Sequence, residues 1–336
     1  VDTREVGAKP SPNCTLEVLE YNGPDRAQVP TAPVLLIPGL FQNYRAFDLI
    51  PEQGISVARY LETQKNLHVY ILHIRGVNGS CYPLKSNLDD ISIDDIPTAI
   101  NFVYRREGTP IIAMGHSQGG MTLQAALSGL TRCDRNDNCF SPAIAAGRQR
   151  GVRSAGILAA NSALSGLSTK LEVIAWLDLF IPNFSSERDR VTAEATIWKI
   201  RDRGEAKILQ TAYHVPNTTF ESRRAFFEDS LSASSSGVLN QFVRAIRGFG
   251  LTSTGGHKYV KGLKNISIPT SEMVFEYDSF ANPDTTEKHN FARIGSSQKA
   301  YFRVLGQGHL DFTMNASLHD SLSPFVDWLV AAGFSR

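Results

Sequence analysis

Residues 110–121 read Pro110-Ile111-Ile112-Ala113-Met114-Gly115-His116-Ser117-Gln118-Gly119-Gly120-Met121. The apolar run at 110–114 predicts a short buried strand, and the stretch from Met121 to Leu130 predicts the helix that follows it. Between them lies Gly-x-Ser-x-Gly. A serine at such a junction sits in a tight, strained bend that exposes its hydroxyl above the end of a sheet. Both glycines are required there because a side chain would strike the neighbouring strand and helix. The start of the helix supplies backbone N–H groups where an oxyanion would form. Ser117 is therefore the candidate nucleophile.

Working outward, Val34-Leu35-Leu36-Ile37 is a continuous apolar run closed by Pro38-Gly39, the pattern of a strand buried on both faces. Val69-Tyr70-Ile71-Leu72 repeats it. Gly54 to Glu62 and Ile91 to Tyr104 carry apolar residues at helical spacing. Val152 to Ala160, Glu272 to Tyr277 and Ala300 to Leu305 read as further strands, and Phe325 to Val330 as a closing helix. Alternating strands and helices predict an α/β architecture, a mostly parallel sheet flanked by helices. Residues 131–151, polar and weakly periodic, read as a surface excursion. Within 162–270 the alternation fails and helical patterns dominate. The expected organisation is a core of residues 1–161 and 271–336, with 162–270 inserted as a mainly helical cap.

A serine hydroxyl needs a base held in place by a third group, and in this kind of sheet the chain order is Ser, acid, His. Of eight histidines, only His289, His309 and His319 lie near the C-terminus. His309, in Gly306-Gln307-Gly308-His309 just after a strand, stands where a base can reach the sheet's carboxyl edge. His289 lies in a charged stretch and His319 at a polar helix start. The acid should follow the strand at 272–277. Asp278 leads there, with Asp284 and Glu276 as alternatives. The loop Pro38-Gly39-Leu40-Phe41 is placed to donate one backbone N–H to an oxyanion, from Leu40 or the adjacent Phe41. Gln118 would give the other.

Lys and Arg (34) nearly balance Asp and Glu (33), so no global field favours nucleic acid or an anionic surface. An uncharged or weakly charged substrate is the expectation. No apolar run reaches 18 residues. Cys133 and Cys139 flank a polar run and could close a small loop, leaving Cys14 and Cys81 as a second pair; four ordinary thiols are the plain alternative. No metal-ligand spacing accompanies them, and neither metal nor cofactor is expected. Six Asn-x-Ser/Thr sequons, at Asn13, Asn78, Asn183, Asn217, Asn265 and Asn315, join the cysteines in suggesting export with a signal peptide already removed.

Several stretches together resemble the acid lipases (gastric and lysosomal) within the α/β-hydrolases. Ile74-Arg75-Gly76-Val77-Asn78-Gly79-Ser80 is similar to that family's Ser-Arg-Gly-Asn loop. Asp94-Asp95-Ile96-Pro97-Thr98-Ala99 is similar to its Tyr-Asp-Leu-Pro-Ala segment. Gly115 to Gly119 matches its Gly-His-Ser-Gln-Gly, Asp278 to Pro283 is similar to its Asp-x-Leu-Ala-Asp-Pro, and His309-Leu310-Asp311-Phe312 matches its His-Leu-Asp-Phe. The chain departs from those lipases in having Pro38-Gly39 where they have His-Gly. This Pro-Gly loop, with Asn43-Tyr44-Arg45, is similar instead to polyester synthases, which use Cys where this chain has Ser117. The resemblance implies an α/β-hydrolase fold, a triad of Ser117, Asp278 and His309, and hydrolysis of lipid or other apolar carboxylic esters without a cofactor. Acyl transfer, amide or polyester hydrolysis, and an inactive fold serving as a binding module are the competing expectations. The apolar segment Val173 to Ile181 offers Trp176, Leu177 and Phe180 as acyl contacts or as a lid surface meeting a lipid interface.

Overall fold

The computed structural model describes residues 2–11, 14–22, 32–77, 80, 86–134, 137–164, 212–232, 234–248 and 250–334. Eight strands form one sheet: β1 (Asp2–Ser11), β2 (Cys14–Asn22), β3 (Ala32–Ile37), β4 (Leu67–Leu72), β5 (Ile111–His116), β6 (Val152–Leu158), β7 (Thr270–Phe275) and β8 (Lys299–Val304). Their spatial order is β1-β2-β4-β3-β5-β6-β7-β8. Pairing from β4 through β8 is parallel, while β2 runs antiparallel to both β1 and β4. Every strand that was expected from an apolar run is present. The β1–β2 hairpin is an addition, and it extends the sheet at its β4 edge.

Burial on both faces explains the continuous apolar runs. In β3, Leu35 and Ile37 join one core cluster, while Val34 and Leu36 join another on the opposite face. The first cluster lies under α2 (Ile96–Glu107) and α3 (Gln118–Leu127). The second lies under α1 (Val57–Thr63) and a C-terminal helix at Leu318–Phe334. The expected helix at 91–104 begins irregularly, as a wide π-type turn over Ile91–Asp95. Pro97 has no N–H to offer the Ile93 carbonyl, and Arg148 donates to that oxygen instead, at 3.3 Å. The surface excursion at 131–151 contains helix α4 (Pro142–Gln149), capped by Ser141 with Pro142 in its first turn. Cys133 and Cys139 are joined by a disulfide with a Cα–Cα distance of 5.3 Å.

The expected insertion is described from residue 212 onward. It contains helices α5 (Phe220–Ala225) and α6 (Ser236–Gly248) and several single turns. Val238, Leu239, Phe242, Tyr259, Leu263 and Ile266 belong to the same core cluster as Leu35 and Leu123, so this part shares the sheet's hydrophobic core. Trp176, Leu177 and Phe180 lie outside the described residues, as does Cys81. Three sequon asparagines have their amide nitrogens engaged: Asn265 donates to Ser128 O, Asn315 to Gln307 Oε1, and Asn217 to Gly306 O and Asp311 Oδ2. A glycan replaces one of the two amide hydrogens, so at Asn217, whose amide donates twice, it would have to break one of these bonds. Among the described residues, no helix is long and apolar enough to cross a membrane.

Candidate active site

β5 ends at His116, and Ser117 N–H still donates to Leu158 O of β6 at 2.8 Å. The chain then turns sharply into α3. Ser117 has φ 53° and ψ −120°, a conformation that costs a non-glycine residue energy and survives only where its surroundings enforce it. Those surroundings are tight. A Cβ on Gly119 would lie 2.3 Å from Ile37 O, and one on Gly115 would lie 2.6 Å from the Gly119 backbone. Both glycines of the motif are thus fixed by contact between β3, β5 and α3, and the serine hydroxyl is held above the sheet's carboxyl edge.

His309 Nε2 lies 2.9 Å from Ser117 Oγ, and His309 Nδ1 lies 2.8 Å from Asp278 Oδ2. Facing a carboxylate, Nδ1 carries the proton. That leaves Nε2 as an acceptor for the serine hydroxyl. Asp278 is buried, and its other oxygen accepts the N–H groups of Phe280 (2.7 Å) and Ala281 (2.8 Å). The Asp278-Ser279-Phe280-Ala281 turn therefore sets the carboxylate's orientation. Phe280 also brings its ring to 5.0 Å from the His309 ring. Of the three acid candidates, the structure brings only Asp278 to His309. Asp284 is exposed and paired with Arg303 at 2.8 Å, and Glu276 accepts the Gly306 N–H at 2.8 Å, bracing the loop that carries His309. His319 is elsewhere, stacked on Tyr60.

The Leu40 loop closes as a turn in which Gln42 N donates to Gly39 O (3.2 Å) and Phe41 adopts φ 63°. It is braced from the insertion side: Ser232 N donates to Phe41 O, Asn43 N to Ser230 O, and Asn43 Nδ2 to Asp229 O. The Leu40 N–H donates to no acceptor among the described residues. Gln118 is the first residue of α3, where an N–H has no partner within its own helix. Asp311 Oδ1 accepts His214 N, and Asp311 Oδ2 accepts Gly308 N and Asn217 Nδ2, so residues 214–217 are pinned to the loop that carries His309. Burial raises the Asp311 carboxyl above its ordinary range.

Two residues beside the site were not singled out from the sequence. His116, fully buried, has Nε2 3.1 Å from His309 O and Nδ1 3.2 Å from Gln42 Oε1. Burial, and then the neighbouring His309, push its imidazole down to about 3, so it is neutral. Gln42 Oε1 also accepts the Gly39 N–H at 2.7 Å. His116 stood inside the quoted motif, but its contacts span 74 and 193 residues of chain. Arg75 and Asp95, from two of the stretches that resemble acid lipases, form a buried ion pair at the N-terminal end of α2.

No family model matches the chain, and no curated protein matches it in sequence. Solved structures do. A thermophilic esterase from Thermogutta terrifontis aligns with a TM-score of 0.57 and 15% identity, over 99% of this chain and 100% of that one. The naproxen esterase of Bacillus subtilis aligns at 0.55 and 14%, over 97% and 92%. An E-2-(acetamidomethylene)succinate hydrolase aligns at 0.59 and 16%, over 97% and 100%. The chain has the α/β-hydrolase fold. At such identities the likeness carries architecture and not a substrate. The acid lipase resemblance rests on the motifs alone.

Proposed function

We propose that this α/β-hydrolase is a serine hydrolase of carboxylic esters, working through an acyl-enzyme on Ser117. The observation that carries the reading is the unbroken hydrogen-bonded line from Ser117 Oγ through His309 to Asp278, with the serine in its strained bend. His309 takes the serine proton as Oγ attacks the ester carbonyl, and Asp278 stabilises the imidazolium that forms. The Leu40 and Gln118 N–H groups would receive the developing oxyanion. His309 then returns the proton to the leaving alkoxide. Water, activated by the same imidazole, releases the acid. No redox step or metal-bound water is needed for this sequence of transfers.

The near-balance of charge and the apolar segment 173–181 favour a lipid or other apolar ester. Trp176, Leu177 and Phe180 are assigned to the acyl side, and the 162–270 insertion to a cap that sets chain-length preference. Cap contact with a lipid interface, and export of the chain, belong to the same reading. Transfer of the acyl group to an alcohol, or cleavage of an amide or polyester, would use the same residues and is separated by product analysis.

The test is turnover of p-nitrophenyl esters of graded chain length, together with labelling by a fluorophosphonate. Ser117→Ala should lose both labelling and about 10³-fold or more of the turnover while keeping its fold. A folded Ser117→Ala variant that retained a tenth of the activity would end the nucleophile assignment. A wild-type chain that takes no label would leave a binding module instead.

A further inference from the structure

The two halves of the chemistry proposed above sit on separate loops. The base comes from the loop after β8, and one oxyanion donor from the loop after β3. Nothing in the triad fixes one relative to the other, yet the reaction needs donors and base placed around one carbonyl to within about half an ångström. Two buried side chains span that gap. Gln42 Oε1, itself buried, receives the Gly39 N–H at 2.7 Å, so that N–H is engaged within the protein. The same oxygen faces His116 Nδ1 at 3.2 Å, and His116 Nε2 faces the backbone carbonyl of His309 at 3.1 Å. The path Gly39–Gln42–His116–His309 is thus a continuous line of close contacts, in which the neutral His116 ring donates to one of its two oxygen neighbours. It passes behind Ser117, the residue next to His116.

We propose that Gln42 and His116 act as positioning residues: a strut that holds the Gly39–Leu40 turn at a fixed distance from His309 and so aims the Leu40 N–H at the reacting carbonyl. The assignment rests on the ester-hydrolase reading, because a spacing between oxyanion donor and base matters only if both act. Three further observations support it. Gly39 is pressed so close that a Cβ there would lie 2.8 Å from Gln42 Oε1 and 3.2 Å from Ser117 Cβ, so the turn, the amide and the nucleophile are in mutual contact. His116 is locked by its ring, stacked on Phe312 at 5.2 Å and facing the His309 ring at 5.1 Å. The turn itself is strained at Phe41, so it needs an outside hold to keep its shape. His116 must also stay uncharged to serve. A second imidazolium beside His309 would oppose the proton transfer that the base performs. Burial keeps it neutral. With acceptors at both nitrogens and one proton, the ring leaves one of the two contacts without a hydrogen. At that contact the ring is held by packing against Phe312 and His309 and not by a second hydrogen bond.

The experiment compares Gln42→Leu and Gln42→Glu with the wild type in steady-state turnover of a p-nitrophenyl ester, from pH 5 to 9. Gln42→Leu removes the acceptor and should lower kcat by about 10²-fold, the scale of one misplaced oxyanion donor, with KM within about two-fold. Gln42→Glu keeps an oxygen for Gly39. It should approach wild-type kcat at low pH, where the carboxyl is neutral, and fall away as it ionises beside the oxyanion. His309, His116 and Asp278 are the titratable groups along this strut, and the wild-type profile controls for them. A folded Gln42→Leu variant with kcat within three-fold of wild type would overturn the strut. If that variant does not fold, a Gln42→Glu profile parallel to the wild type overturns it instead. A wild-type chain whose turnover ignores Ser117 overturns the hydrolase reading and the strut with it, whereas Ser117-dependent turnover that ignores Gln42 overturns the strut alone.

Discussion

Asp278 and Asp284 are six residues apart, one in the turn after β7 and the other in the first turn of the helix Pro283–His289, and the fold separates their surroundings. Asp278 is buried, accepts two backbone N–H groups and meets His309 Nδ1, whereas Asp284 faces solvent beside Arg303. Asp278→Asn should therefore cut kcat by about 10⁴-fold, because an amide cannot hold the productive tautomer of His309. Asp284→Asn breaks only an exposed ion pair, which is worth little, and should change kcat by less than two-fold. Steady-state kinetics on both purified variants decide it, and the reverse ranking would move the acid to Asp284. Ser117 and His309 were legible in the sequence because each carries a local signature, a glycine-framed turn directly after an apolar strand. Asp278 was legible only as one of three, since a turn aspartate reads alike whether it caps, pairs or catalyses. Gln42 and His116 could not be read at all. Their contacts join loop and strand segments distant in sequence.

The same division holds for whole elements. β3 to β7 were legible because burial on both faces leaves a mostly apolar run, whereas the partly exposed edge strand β8 was read from the aromatic and β-branched residues in Ala300 to Leu305. The β1–β2 hairpin was not, since its polar-apolar alternation was weaker than the runs that followed. α4 was hidden because its alanine-rich sequence, Pro142 to Gln149, shows no clear amphipathic stripe and turns only Ala145 and Gln149 inward. Most consequential for the site is the clamp between residues 212–217 and the loop that carries His309. Asp311 gathers three donors, from His214, Gly308 and Asn217, and Asn217 also reaches Gly306 O. Asp311→Asn would turn one accepting oxygen into a donor aimed at donors. The expected cost is about 2–4 kcal/mol of stability, read from urea unfolding. A fall in kcat of about ten-fold or more should accompany it as His309 loses its support. A variant with unchanged stability would show that the loop is held by its glycines and the Glu276 contact alone.

For the molecule as a whole, two fully buried titratable groups pull stability in opposite directions with pH. His116 is held neutral in the folded chain, down to about 3, while an unfolded histidine titrates near 6.5. Between those values the unfolded chain binds the extra proton, so the stability that His116 contributes is complete above pH 6.5 and is lost as pH falls toward 3. Glu272, inside β7, behaves oppositely. Burial raises its carboxyl well above 4.5 and only Asn290 Nδ2 offsets this, so the folded chain keeps a proton that the unfolded chain releases. Its stabilising contribution is complete below about pH 4.5 and is lost as pH rises toward its folded value. The two slopes cancel between about pH 4.5 and 6.5, so these two groups together predict greatest stability at mildly acidic pH. They also allow one group to be isolated. Glu272→Gln keeps an oxygen for Asn290 but cannot ionise, so its stability should not carry the falling alkaline limb. The free-energy gap between variant and wild type should widen in favour of the variant by up to about 1.4 kcal/mol per pH unit above pH 5, the slope for one proton. Urea midpoints measured from pH 4.5 to 8.5 provide the comparison. Parallel curves would mean that Glu272 is already ionised within the sheet, and the burial argument for its proton would fail.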